Sequence, residues 1–186
     1  PGFWFGKSRG TSIGSNTVVA NGDQLGGFFF QAADGTDKNS RAATIVCYSQ
    51  GSSGGNDTPG KLIFSTTADG ANDSTSRLII DSSGRVLIGT STEGEGTADN
   101  LTIADSGNCG ITIRSGSSSE GNIFFSDGAS GVAEYRGTIQ YGHNDDRFIF
   151  FTNATERMRI DSTGALTFAS SNNGQIIHSF RNTDST

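Results

Sequence analysis

Two stretches of the chain carry nearly the same pattern and decide the fold. They are TERMRIDSTGALTF at Thr155–Phe168 and TSRLIIDSSGRVLI at Thr75–Ile88. In each, an Asp follows an apolar run and a Gly stands three residues later, namely Asp81 with Gly84 and Asp161 with Gly164. An Asp accepts backbone N–H groups at the start of a turn, and a Gly tolerates the left-handed backbone that a short hairpin loop requires. Both stretches are therefore predicted to be β-hairpins with the same turn.

The arms of these hairpins alternate between apolar and other residues. Leu78 and Ile80 lie two residues apart in the first hairpin, as do Met158 and Ile160 in the second. Residues two apart in a strand share one face of the sheet. The sequence thus predicts the same apolar face in both hairpins.

Most of the remaining chain consists of short β-branched and aromatic runs bounded by Gly, Asn, Asp or Ser, the pattern of β-strands. No window of eleven or more residues has helical periodicity, so the predicted fold class is all-β with almost no helix. The predicted strands are 2–6, 16–20, 25–31, 41–49, 61–67, 77–81, 85–89, 101–105, 110–114, 122–126, 135–141, 147–152, 157–161, 165–168 and 175–180.

The repetition extends beyond the hairpins and predicts tandem β-modules. The correspondences are 26–35 with 121–131, Arg41 with Arg136, 60–67 with 146–153, and the three openings 2–8, 110–115 and 174–179. Modules repeated in this way form extended arrays with insertions in surface loops. We predict a first module at 1–90, a shorter second module at 91–170 after a Gly/Glu/Thr-rich linker, and the start of a third, truncated module at 171–186.

The apolar content is too small for a thick core in one chain. Leu, Ile, Val and Phe make up 39 of 186 residues, only just above the roughly 20% below which chains tend to be disordered. The phenylalanines also occur in runs, at 28–30, 124–125 and 150–151, as in strands covered on both faces. These features favour an elongated, intertwined homotrimer in which chains share a core. A self-sufficient two-sheet sandwich in each module is the alternative.

Charge and cysteine content exclude several classes. The net charge of −6 is spread along the chain without a basic stripe, which argues against nucleic acid as a partner. There is no run of about 18 apolar residues and no visible signal peptide, so no membrane partner is predicted. Cys47 and Cys109 are too few for a disulfide scaffold and are predicted to be small buried side chains.

The residues also resemble a known family, the repeated shaft modules of tailed-bacteriophage tail-fibre proteins. The resemblance lies in residues 6–26, 56–71, 85–90 and 155–164, and the ERMRID motif before a turn is its most specific part. It implies a homotrimeric, β-rich rod in the virion. Such fibres often end in an endosialidase-type intramolecular chaperone, and nothing in this sequence resembles that domain. The chain departs from the pattern with SRLIID in the first copy and ALTFAS in the second.

No catalytic, cofactor-binding or metal site is predicted. The stretch GNDTPGKL at 55–62 fits the spacing of a phosphate-binding loop, but Leu62 follows in place of Ser or Thr and a strand follows in place of a helix. A turn at Pro59 and Gly60 explains it better.

Paired carboxylates, histidines and aromatic residues are the other candidates. The carboxylate pairs are Asp34 and Asp37, Asp69 and Asp73, Glu93 and Glu95, and Asp145 and Asp146, all in turn-like segments. They are interpreted as turn residues rather than as a glycosidase or calcium site. The histidines, His143 and His178, are interpreted as structural, and the possible glycan-stacking aromatics Trp4, Tyr48, Tyr135 and Tyr141 as packing groups.

The sequence therefore predicts a structural shaft segment of a phage tail fibre. It is expected to be a non-enzymatic homotrimer in the extracellular virion that contributes to host attachment. Expected partners are its own copies, other fibre or virion proteins, and a host-surface glycan or protein bound by variable loops. Two alternatives stay open, a tailspike-type polysaccharide depolymerase and a bacterial surface adhesin built from similar modules.

Overall fold

The computed structural model describes residues 1–169 as an all-β chain. The chain divides into two compact units, Pro1–Gly110 and Ile111–Thr186. Each unit is built around one sheet. The module boundaries predicted from the sequence stay a prediction.

The sheet of the first unit has six strands in sequence order. All neighbours are antiparallel except the last pair, β5 and β6, which are parallel. The strands are β1 (Gln24–Ala32), β2 (Ser40–Ser49), β3 (Gly60–Thr66), β4 (Thr75–Ile80), β5 (Val86–Ile88) and β6 (Leu101–Ile103).

The sheet of the second unit has five antiparallel strands, also in sequence order. A five-residue 3-10 helix, Gly131–Tyr135, precedes the second of them. The strands are β7 (Glu120–Phe125), β8 (Gly137–Gly142), β9 (Arg147–Thr152), β10 (Thr155–Ile160) and β11 (Leu166–Phe168).

The two hairpins predicted from the sequence are confirmed, and their turns match in detail. The Oδ1 atom of Asp81 accepts hydrogen bonds from the N–H groups of Ser83 and Arg85 at 2.9 and 3.0 Å. In the second hairpin, Oδ1 of Asp161 accepts from residues 163 and 165 at the same two distances. Gly84 and Gly164 have φ angles of 82° and 84°, in the left-handed region.

Several predicted strands and one burial prediction are wrong for the single chain. Residues 2–6, 16–20 and 110–114 have no strand partner among residues 1–169 and are therefore not strands. A run of apolar residues suits a strand, but a strand exists only where a second backbone completes its hydrogen bonds. Cys109 is exposed, because the chain has left the sheet after β6, whereas Cys47 is half-buried within β2. The predicted strand at 175–180 lies outside the described residues.

The small core lies on one face of each sheet. Val46, Ile79 and Leu87 are at most 6% exposed in the first unit, and Ile149 is buried in the second. Val46, Ile79 and Leu87 share a face, since Val46 is paired with Ile63, Ile63 with Ile79, and Ile79 with Leu87. Within residues 1–169, no helix has the length and apolar character needed to cross a membrane.

The turn geometry predicts the effect of a methyl group at Gly84 or Gly164. Ala at either position would be held in the left-handed region, which costs about 1–2 kcal/mol per L-residue. We expect Gly84→Ala and Gly164→Ala each to lower the free energy of unfolding by about that amount in urea denaturation.

The matched control is Gly96→Ala, because Gly96 has open space around it and no left-handed φ. It should leave stability nearly unchanged. Equal stability of the Gly84→Ala and Gly96→Ala variants would contradict the assigned turn.

Candidate functional site

The candidate functional surface of the first unit is one face of its sheet. Two rows of paired residues cross the whole sheet on this face, and neither row contains a polar side chain. The first row is Phe28, Ile45, Phe64, Leu78, Ile88 and Ile103, and the second is Gly26, Cys47, Leu62, Ile80, Val86 and Leu101. These two rows are called the first apolar face.

The sheet of the second unit carries a corresponding surface. Its rows are Ile123, Ile139, Phe150, Met158 and Phe168, and Gly121, Tyr141, Phe148, Ile160 and Leu166. These rows are called the second apolar face. The predicted shared face of Leu78 with Ile80 and of Met158 with Ile160 is confirmed, and each pair belongs to a wider apolar surface.

Both apolar faces remain accessible to solvent in the single chain. Phe28 is 51% exposed, Leu101 is 53% exposed and Ile123 is 48% exposed. No residue of either face is buried, whereas the buried apolar residues lie on the opposite faces. Wide contiguous apolar surfaces are rare on soluble monomers and mark sites of association.

The opening segment of each unit contacts the edge of its apolar face at a glycine. A Cβ atom built at Gly26 would lie 2.5 Å from the Cβ atom of Phe5. At the corresponding Gly121, it would lie 3.4 Å from Cγ2 of Ile113. The Phe5 ring also meets Phe28 edge-to-face, with centroids 5.4 Å apart. The aligned openings 2–8 and 110–115 thus pack in corresponding ways.

A cluster of ion pairs connects the predicted linker at 91–100 to the first sheet. The guanidinium of Arg85 donates to carboxylate oxygens of Asp81 at 2.8 Å and Asp99 at 2.9 Å. It also lies 3.6 Å from Oε1 of Glu93. At the corresponding position of the second hairpin, Ala165 leaves Asp161 without this partner.

The environment of Asp81 favours its charged form despite burial. Burial by itself would raise the pKa of this carboxyl group, but hydrogen bonds from the backbone and guanidinium of Arg85 outweigh it, and the pKa lies below its ordinary value. The hydrogen bond to Asp99, followed by that to Asp81, raises the pKa of Arg85. In the second hairpin, hydrogen bonds from the Thr163 hydroxyl and from the Ala165 N–H lower the pKa of Asp161.

The stretch at 55–62 forms the turn and strand predicted from its sequence. Gly54 and Asp57 pair across a tight loop, and β3 begins at Gly60. The carbonyl oxygen of Pro59 accepts a hydrogen bond from the N–H of Gln50 at 2.8 Å. Without a helix after the loop, its N–H groups do not form a phosphate cradle of the nucleotide-binding kind.

The paired carboxylates take part in local contacts. Asp34 accepts hydrogen bonds from the Ser40 hydroxyl and from the N–H groups of residues 36 and 37, which lower its pKa to about 2. Asp145 pairs with Arg147 at 2.7 Å, and Asp146 accepts from the Tyr141 hydroxyl at 3.0 Å. Within residues 1–169, no three His, Cys, Asp or Glu side chains are grouped as metal ligands would be.

The histidines and aromatic candidates lie in different surroundings. His143 packs edge-to-face on Tyr141 at the rim of the second apolar face, with ring centroids 4.9 Å apart. Trp4 is 92% exposed and Tyr135 is also exposed, whereas Tyr48 is half-buried. His178 lies outside the described residues.

The continuous apolar rows are the feature that inspection of single strands missed. Alternation within one strand predicts which residues share a face, but not which residue of the next strand stands beside them. The repeated spacing of the aligned strands was the available signal. The pairing Phe64–Leu78 in the first sheet has its counterpart in Phe150–Met158 in the second.

Comparison with known proteins finds similar folds among phage tail fibres. No family model and no curated protein matches the chain. Two solved structures of the carboxy-terminal domain of the bacteriophage T5 L-shaped tail fibre are similar to the whole chain at 14% identity. One, with its intra-molecular chaperone domain, has a TM-score of 0.47 over 69% of its length, and the other has 0.40 over 99%. Both are domains of phage tail fibres, the class of protein that the sequence also resembles.

The charge cluster predicts a loss of stability in Arg85→Ala. Removing the guanidinium leaves the buried Asp81 carboxylate without its charged donor, and such a loss costs about 1–3 kcal/mol. We expect the free energy of unfolding to fall by about that amount in urea denaturation. Arg157→Ala is the control, because the Arg157 guanidinium donates to a neutral hydroxyl, that of Thr152, and not to a buried carboxylate. A loss no larger than that of the control would contradict the role of Arg85.

The lowered pKa of Asp81 predicts a loss of stability in acid. A carboxyl group with a depressed folded-state pKa contributes stability above its unfolded pKa of about 3.9, and this is lost as pH falls through the folded-state value. We therefore expect the melting temperature to fall less steeply below about pH 4 in Asp81→Asn than in the unsubstituted chain. Parallel melting curves from neutral to acidic pH would contradict the assignment.

Proposed function

We propose that the chain is a structural shaft segment of a phage tail fibre, in which three identical chains pack their apolar faces around a common axis. The two uncovered apolar faces are the observation that carries this proposal. The sequence resemblance to tail-fibre shaft modules supports the number of chains. The molecule then belongs to the extracellular virion, where its partners are its own copies and other fibre proteins.

Burial of the apolar faces supplies the driving force for association. Each square ångström of apolar surface removed from water contributes about 25 cal/mol, so covering rows that cross every strand is strongly favourable. The chain offers no helix of its own for this purpose within residues 1–169, where helical structure is limited to Gly131–Tyr135. The same face on another copy is apolar over the same rows, so it can cover this face and remove both from water.

Identical copies also account for the distribution of burial between the two faces. The face with Val46, Ile79 and Leu87 is already shielded within the chain. The opposite face, with Phe28 and Leu101, is not. A sandwich within each module would require a second sheet on this side, and each described unit contains one sheet. This arrangement favours a shared core over the self-sufficient alternative.

The role that follows is mechanical. Repeated modules at 1–90, 91–170 and 171–186 give length, and shared sheets give rigidity. The loops at 31–40, 50–60 and 115–121 lie on the outer surface of the fibre and contribute to host attachment. The carboxylates engaged in turns and ion pairs, such as Asp34 and Asp145, favour this role over that of a depolymerase.

The central test is the molar mass in solution with and without a charge on an apolar face. Light scattering of the unsubstituted chain should give about 58 kDa, three times the 19.3 kDa of one chain. Ile139→Lys places an ammonium group in the first row of the second apolar face, where burial without a partner is unfavourable. We expect this variant to dissociate or to lose much of its thermal stability.

Gln140→Lys is the matched control. Gln140 is the next residue of the same strand and points to the opposite face, where it neighbours Glu120. It should keep the mass of the unsubstituted protein. A compact, stable single chain of about 19 kDa would overturn the trimer, and equal behaviour of both variants would overturn the assignment of the apolar face.

A further inference from the structure

The final strands of the two matching hairpins, β5 and β11, have different neighbours. In the first sheet, β6 covers the outer edge of β5 in parallel pairing. The N–H of Val86 donates to the carbonyl oxygen of Asn100 at 2.8 Å, and the carbonyl oxygen of Ile88 accepts from the N–H of Ala104 at 2.9 Å. In the second sheet, β11 is itself the last strand, and no strand within residues 1–169 covers its outer edge.

The outer edge of β11 therefore presents free hydrogen-bonding groups. The N–H of Ala169 donates to the carbonyl oxygen of Arg157, and the alternation of an antiparallel pair turns the backbone groups of Thr167 to the same side. The N–H and C=O groups of Leu166 and Phe168 point away from β10, and none of them has a backbone partner within residues 1–169. An open strand edge of this kind is a template for a further strand.

The opening segment of the second unit lacks partners in the same way. None of the backbone N–H or C=O groups of residues 110–115 bonds to another backbone group within residues 1–169. Ile111 and Ile113 are 70% and 47% exposed. The segment reads ITI at 111–113, and β6 reads LTI at 101–103. It thus has the sequence pattern of the strand that covers β5, without a strand to pair with.

This segment is too far from β11 of its own chain to pair with it. Ile113 lies against Gly121 of β7, and β7 and β11 are the two opposite edges of the five-stranded sheet. Neighbouring strands lie about 4.8 Å apart, so the four spacings between β7 and β11 amount to about 19 Å. The strand that reaches β11 must come from a second copy. In a closed ring of identical chains, unlike surfaces of neighbouring chains meet, as these two do.

From this complementarity we propose that residues 110–114 of one chain pair in parallel with the outer edge of β11 in a neighbouring chain. The register is that of β5 with β6, which places Thr112 beside Thr167. Ile111 and Ile113 then extend the two rows of the second apolar face by one strand. The inference rests on the proposed trimer and adds to it a strand that each chain contributes to the sheet of the next, as in other cases of strand addition at a sheet edge.

Hydrogen–deuterium exchange of the full chain, resolved to single amides by fragmentation in the mass spectrometer, tests the pairing. In the register of β5 with β6, the N–H groups of Thr112 and Arg114 donate to β11 of the neighbouring chain. Their exchange should be slower than that of an unstructured peptide by about a hundredfold or more. Exchange of both amides at the unstructured rate would overturn the pairing.

A pair of cysteines identifies the partner strand. In a chain that carries Cys47→Ala and Cys109→Ala, we expect Thr112→Cys and Thr167→Cys to form disulfides between chains on mild oxidation. Residues beside each other on adjacent strands have Cα atoms within the range of roughly 4.4–6.8 Å that a disulfide requires. A denaturing gel without reductant should then show covalent species of two and three chains.

The combination of Thr112→Cys with Arg159→Cys is the matched control. Arg159 is paired with Thr167 and lies on β10, one strand farther from the open edge. Two strand spacings, about 9.6 Å, exceed the reach of a disulfide, so this pair should remain as single chains on the gel. Absence of species larger than one chain from the first pair, or equal yields from both pairs, would overturn the assignment of β11.

Light scattering of the same samples reports on the trimer separately. The mass of three chains together with unprotected amides at Thr112 and Arg114 would overturn the strand pairing and leave the trimer standing. The mass of a single chain would overturn both.

Discussion

The structure depends on the register that aligns apolar residues across every strand of each sheet. A slip of one residue in any strand would move its apolar side chains to the opposite face, because the side-chain period is two. The hairpin turns hold this register at one end of the sheet. Asp81 and Asp161 each bind two N–H groups within the turn, which fixes the loop length and therefore the pairing of Ile80 with Val86 and of Ile160 with Leu166.

One face of each sheet contributes to the folding of the single chain, and the opposite face is proposed to contribute to association. In the first unit, Val46, Ile79 and Leu87 form a small core that is buried within one chain. A core of this size is marginal for a domain, and thin domains usually gain stability from further chains, metals or disulfides. In the proposed trimer, the apolar faces provide that stability. Folding and assembly then become one equilibrium, in which stability rises with protein concentration.

The sequence predicted what is local and missed what depends on distant partners. The turns at Gly84 and Gly164 follow from four or five adjacent residues, and so the hairpins were predictable. Residues 2–6 have the composition of a strand, yet Trp4 is 92% exposed because no second backbone pairs with that segment within the described chain. Cys109 was wrongly predicted to be buried because an apolar neighbourhood in sequence was taken for one in space.

The two units can be compared position by position, which separates the positions that stay apolar in both sheets from those that do not. The apolar rows correspond position by position, so that Phe64 matches Phe150 and Ile80 matches Ile160. Away from those rows, Arg85 is replaced by Ala165, and Ser65 by Phe151. In the proposed trimer, a polar substitution on this surface would be repeated in every chain around the axis, so the rows stay largely apolar even where the side chains differ, as at Leu62 and Phe148. The opposite face and its loops carry no such requirement, and it is there that a module can acquire a charge cluster without disturbing the proposed assembly.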